Sequence, residues 1–155
     1  MTLPSFRLFL ALFIGVCGLR CFAEDPVFDS PVGQWTTIDD SDNKPRSVVE
    51  IREEKGKLVG QIIKTFPRPG DTGKCVKCEG ALKDAPILGF PLIDGLSRDG
   101  DVWNGGHIID PVSGNIYSAK ISLQEQGRKL RVRGFLGISL FGRSQVWLRV
   151  VPGSP

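Results

Sequence analysis

The chain has 155 residues, a formal net charge of +3, 19 glycines, 11 prolines and a single histidine. Its hydrophobic share of 41% and charged share of 24% are those of a globular domain, which excludes a disordered or fibrous chain. The length suits one domain with one core.

The first predicted element is an export signal over residues 1–23. Arg7 supplies a positive start, and residues 8–19 form an apolar run of about a dozen residues. Cys21 and Ala23 place small residues at the −3 and −1 positions, and a polar segment begins at Glu24. A membrane span needs roughly 20 apolar residues, so this run is too short to be an anchor. The working protein is therefore expected to be a single domain over residues 24–155, in the bacterial periplasm or outside the cell. No later stretch is apolar enough for a transmembrane segment. Losing Arg7 and Arg20 lowers the net charge from +3 to +1, and nucleic acid is not an expected partner. Losing Cys17 and Cys21 leaves Cys75 and Cys78, a pair that an oxidising compartment would join as a disulfide.

Beyond the signal, the pattern is that of strands separated by turn residues, with no sustained helical stripe. Strands are predicted at residues 32–38, 47–52 and 58–65, the last two joined by a hairpin connection containing Gly56. Residues 66–86 read as a long loop carrying both cysteines. Residues 87–93 are apolar but broken by Gly89 and Pro91, so they read as an edge or bulged strand. Asp99-Gly100 is a turn before a strand at 102–109, and residues 110–115 are another turn.

The last three strands alternate most clearly. In 116–123, Tyr117, Ala119, Ile121 and Leu123 share one face; in 129–135, Leu130 and Val132 point inward against Lys129, Arg131 and Arg133. In 143–150, Ser144, Val146, Leu148 and Val150 are expected to oppose Arg143, Gln145, Trp147 and Arg149. Eight strands in sequence with short connections predict an all-β antiparallel up-and-down barrel, with a two-sheet sandwich as the alternative.

The chain resembles the bacterial secreted proteins grouped as the domain of unknown function 2147 family. The residues carrying the resemblance run in order: Gly33-Gln34-Trp35, Cys75-Val76-Lys77-Cys78-Glu79-Gly80, Pro86-Ile87-Leu88-Gly89, Trp103-Asn104-Gly105-Gly106 and Asp110-Pro111 with Gly114. They continue through Tyr117-Ser118-Ala119-Lys120, residues 130–134, Phe141-Gly142-Arg143 and Trp147-Leu148-Arg149. The resemblance implies a small lipocalin-like or fatty-acid-binding-protein-like barrel and carries no catalytic residues. Lipocalin-like barrels stack a first-strand tryptophan on a last-strand arginine; that likeness implies that Trp35 and Arg149 close the barrel base, with Trp147 as another possible partner.

Each local motif has a plain structural reading. Lys74 and Lys77 would favour a thiolate, yet no helix opens after Cys78, so the cysteine pair reads as a loop staple. One Cys-x-x-Cys with one histidine cannot complete a usual zinc set, and no metal or other cofactor is expected. His107 has no nucleophile motif beside it and reads as a strand histidine. Gly105-Gly106 matches no phosphate-loop pattern and marks a bulge or bend. Asp39-Asp40-Ser41-Asp42-Asn43 and Asp99-Gly100-Asp101 read as solvated turns.

Charge is unevenly spread: residues 24–110 sum to −5 and residues 111–155 to +6. The expected function is a non-enzymatic, exported binding module for a small apolar or amphiphilic, lipid-like ligand. Its candidate interior is Val49, Ile51, Tyr117, Ala119, Ile121, Leu130, Val132, Val146 and Leu148. The alternative is a filled barrel acting as an interaction protein, whose basic residues Lys129, Arg131, Arg133, Arg143 and Arg149 meet an anionic envelope surface.

Overall fold

The computed structural model of the chain describes residues 26–138, 140 and 142–151. The expected signal segment lies outside the described residues. Eight strands follow in order: β1 (Gly33–Ile38), β2 (Pro45–Glu54), β3 (Lys57–Thr65), β4 (Pro91–Asp99), β5 (Val102–Ile109), β6 (Ile116–Gln124), β7 (Lys129–Phe135) and β8 (Gly142–Arg149). Each pairs antiparallel with its neighbour, and β8 returns to β1 to close a barrel. Closure removes the free edges that a sandwich would leave. The only helical turn is a short 3₁₀ segment, Gly80–Leu82, among the described residues.

The interior follows from alternation. In β6, Ala119 and Ile121 are buried while Lys120 is exposed; in β7, Leu130 and Val132 are buried while Arg131 is exposed. Bulges turn the strands through the barrel's curvature. Gly106 lies at one: a Cβ there would sit 2.3 Å from the Asp94 carbonyl oxygen, so β4 reaches β5 only across a glycine.

Two sequence expectations are corrected. The fourth strand starts at Pro91, not at residue 87, because residues 87–90 bend back over the barrel. The Gly89 amide donates to the Ile62 carbonyl at 2.7 Å and the Ile62 amide to the Phe90 carbonyl at 3.0 Å. The faces of β8 are also reversed. Val146 and Leu148 are each 41% exposed, whereas Trp147 is 1% exposed and points inward. The cause is long-range register: Trp35 pairs with Arg149, and a period of two then fixes every other side chain of β8.

Candidate functional site

Three turns meet at one end of the barrel and four connections at the other, and the two ends differ. At the end formed by the β2–β3, β4–β5 and β6–β7 turns, Arg149 is the central element. Its guanidinium carbon lies 4.2 Å from the centre of the Trp35 ring and 4.3 Å from that of Phe28, so the cation is held between two aromatic faces. Arg149 Nε donates to the Gly127 carbonyl at 2.6 Å, Nη1 to Val32 at 3.0 Å and Nη2 to Ser30 at 2.6 Å. Trp35 Nε1 donates to the Pro31 carbonyl at 2.7 Å.

Gly33 is required by this packing, since a Cβ there would lie 2.9 Å from Arg149 Nη1 on a backbone with φ of 134°. Burial lowers the Arg149 pKa from its ordinary value, but a guanidinium remains charged at any physiological pH. The assembly is a plug. Trp147 is not the partner of Arg149; its Nε1 donates to Gln145 Oε1 at 3.3 Å. Phe28 was invisible to pattern reasoning because it precedes the first strand, although an aromatic just before Gly-x-Trp is the available signal.

Between the ends, Val49, Ile51, Ala119, Ile121, Leu130 and Val132 belong to one buried cluster with Trp35, Trp147, Leu58, Ile62, Ile93 and Leu96. Tyr117 is half-buried on the inward face, and its hydroxyl accepts from Asn115 Nδ2 at 3.1 Å. Val146 and Leu148 are outside the cluster, as β8's register requires. At Gly60 a Cβ would stand 3.2 Å from Ile93 Cβ, so the missing side chain is space already taken by a neighbour. The centre is side-chain filled, as a narrow eight-stranded barrel permits.

The opposite end is covered by a strap, residues 66–90. Cys75 and Cys78 are joined by a disulfide, S–S 2.02 Å, and both are buried. The strap folds on itself through Cys75 N–H to the Ala85 carbonyl at 2.9 Å and Ile87 N–H to the Gly73 carbonyl at 2.9 Å. Phe90 anchors it in the core. Charged pairs tie its start to the barrel: Arg46 grips Asp71 with two bonds of 2.6 and 2.9 Å, and Arg68 meets Asp42 at 2.7 Å. The Arg46 bond, with the Arg68 backbone N–H, holds the Asp71 carboxyl down to about 2. Hydrogen bonds from Ser41 lower Asp39 in the same way.

Two clefts stand out among the described residues. One of about 360 Å³ lies beside the plug and is lined by Asp29, Glu53, Leu58, Leu96, Arg98 and Trp103, with Arg98 over the Trp103 ring at 5.4 Å. The other, of about 330 Å³, lies between the strap and the β5–β6 turn. It is lined by Leu82, Ile109 and Ile116 together with Lys77, Cys78, Glu79 and Asn115. His107 is in neither cleft: it is exposed on β5, paired across the sheet with Asp94 and Ser118. Among the described residues, no three His, Cys, Asp or Glu side chains gather to hold a metal.

The five basic residues expected to form one face divide into separate roles. Arg149 is consumed by the plug, which removes it from any outer surface. Lys129 pairs with Glu125 at 2.7 Å, and Arg143 is bound to Asp40. Arg133 bonds Ser144 Oγ at 2.9 Å and the Leu140 carbonyl at 3.1 Å, while Arg131 is exposed.

Residues 33–149 match the model of a family described as "Uncharacterized protein conserved in bacteria (DUF2147)". The chain belongs to that family. A solved structure similar to it is described as "Protein HP1028 from the human pathogen Helicobacter pylori belongs to the lipocalin family". The TM-score is 0.67 at 19% identity, covering 79% of this chain and 84% of that one. At that identity the likeness establishes the shared lipocalin-like barrel. None of the curated proteins compared with the chain matches it.

Proposed function

We propose that this DUF2147 protein is an exported, non-enzymatic binding module that takes a small apolar or amphiphilic molecule at the strap end of its barrel. The observation that carries the reading is the cleft of about 330 Å³ beside the strap. Its size suits a small ligand. Its lining mixes apolar groups (Leu82, Ile109, Ile116) with polar ones (Lys77, Glu79, Asn115), which suits a molecule carrying both chemistries. The lipocalin-like architecture is compatible with that use, although the filled centre moves the expected site from the barrel axis to its rim. Export rests on residues 1–23, and the absence of catalysis on the lack of any nucleophile–base set in the sequence.

Native mass spectrometry on protein purified gently after expression of the full-length chain tests the reading. A co-purifying apolar mass, lost in Ile116→Asp, is expected. A clean apo mass, together with no saturable uptake of an amphiphilic fluorescent probe, would sink the proposal.

A specific observation favours a second reading. A filled centre is also what a protein working from its outer surface needs, and the outer faces of β6 and β7 carry Lys120, Arg131 and Arg133. Here the chain is an envelope interaction protein.

A further inference from the structure

The outside of β6, β7 and β8 forms a surface of two chemistries. Cross-strand register places Lys120 beside Arg133 and Arg131 beside Val146, all facing away from the core. Leu148 stands opposite Lys129 on the same outer face. The strands β6, β7 and β8 contain no Asp or Glu, and of the cations on this face Lys129 is paired with Glu125 of the β6–β7 turn.

The apolar part lies on β8 and at the tip of the β7–β8 hairpin. Val146 and Leu148 are 41% exposed, Val150 38%, and beyond the strand Leu136, Ile138 and Leu140 are 66%, 61% and 76% exposed. Exposed apolar side chains scattered singly need no explanation, whereas three within one hairpin connection, with two more on the adjoining strand, do. The hairpin tip is also joined to the basic strand, because Arg133 donates to the Leu140 carbonyl.

We infer that this hairpin face docks on the surface of a membrane containing anionic phospholipid. The inference rests on the second reading above and names its partner. Charge complementarity selects the lipid: cations beside an apolar tip match a layer whose headgroups are negative and whose interior is apolar. A neutral bilayer would use only the apolar half, and a soluble polyanion only the basic half. The tip residues Ile138 and Leu140 enter the headgroup boundary while Lys120 and Arg131 lie against phosphate.

The test uses protein purified after expression of the full-length chain, sedimented with vesicles of phosphatidylcholine with or without phosphatidylglycerol. Binding is expected to the anionic vesicles only. Each basic residue removed should weaken it roughly fivefold, so K120Q/R131Q should lose an order of magnitude or more. I138S/L140S should weaken vesicle binding while leaving binding to heparin, a soluble polyanion, unchanged. Raising salt from about 0.1 M to about 1 M shortens screening from about 10 Å to about 3 Å and should release the protein.

Equal binding to neutral vesicles, or unaltered binding by K120Q/R131Q, overturns the inference. Binding to heparin without binding to vesicles overturns it too, yet leaves the interaction-protein reading standing; loss of both removes that reading as well. Self-association abolished by the same variants would make this face a contact between copies and would equally overturn it.

Discussion

The two ends of the barrel are closed by opposite physical means. The plug end is sealed by one cation between two aromatic rings, with its nitrogens satisfied by the carbonyls of Gly127, Val32 and Ser30. The strap end is held by a short-range disulfide, the buried Phe90 and half-exposed ion pairs. Backbone carbonyls do not titrate and a cation stacked on the buried Trp35 ring is little affected by salt, whereas exposed carboxylate pairs respond to acid and ionic strength. The plug is the permanent end, and the strap is the end that conditions can loosen.

The sharpest way to break this contrast is Arg149→Ala. It removes both ring contacts and leaves three carbonyls without their charged donor, so a loss of roughly 3–5 kcal/mol is expected in denaturant unfolding. A loss below about 1 kcal/mol would mean the plug is incidental. Next comes the C75S/C78S pair. Opening a ring of so few residues costs about 2 kcal/mol on chain-entropy grounds. The effect should be confined to the strap: hydrogen exchange should rise in residues 66–90 and stay unchanged at β1 and β8.

The smallest effect belongs to acid. Asp71 is held at about 2, below its ordinary 3.8, so its stabilising bond is complete above about pH 4 and is lost as pH falls toward 2. The pair is partly exposed, which limits the effect to about 1 kcal/mol. Strap exchange should therefore rise over that interval while the Trp35 environment holds. Asp71→Asn should reduce the pH dependence, leaving the part owed to Asp39, and an undiminished dependence would assign the acid response elsewhere.

Much of the barrel was legible in sequence, for identifiable reasons. Strands such as β6 and β7 have apolar residues on one face and Ser, Lys or Arg on the other, so their orientation follows from side-chain chemistry alone. In β8, Val146 and Leu148 compete with Trp147, and both faces contain apolar groups. Only the pairing of Arg149 with distant Trp35 decides between them. That decision then removes two residues from the expected interior and supplies an apolar stripe to the outer surface.

The strap was legible as a loop over residues 66–86, while its last residues, 87–90, read as strand. Its docking depends on Phe90 and on backbone bonds to Ile62, which no local pattern announces. The clefts gather side chains from separated segments, as with Leu82 and Ile116, so their membership was beyond the reach of any motif.

The seam between β1 and β8 has a kinetic meaning. Seven of the eight strand pairings join sequence neighbours, six of them through short turns and one across the strap, while the eighth must bring Arg149 back to Trp35. Closing so long a loop is an entropic cost with no reward until the seam forms. The stack of Arg149 on Trp35 therefore needs both ends of the chain in place, and the contact that seals the barrel is also the one of longest sequence separation among its strand pairings.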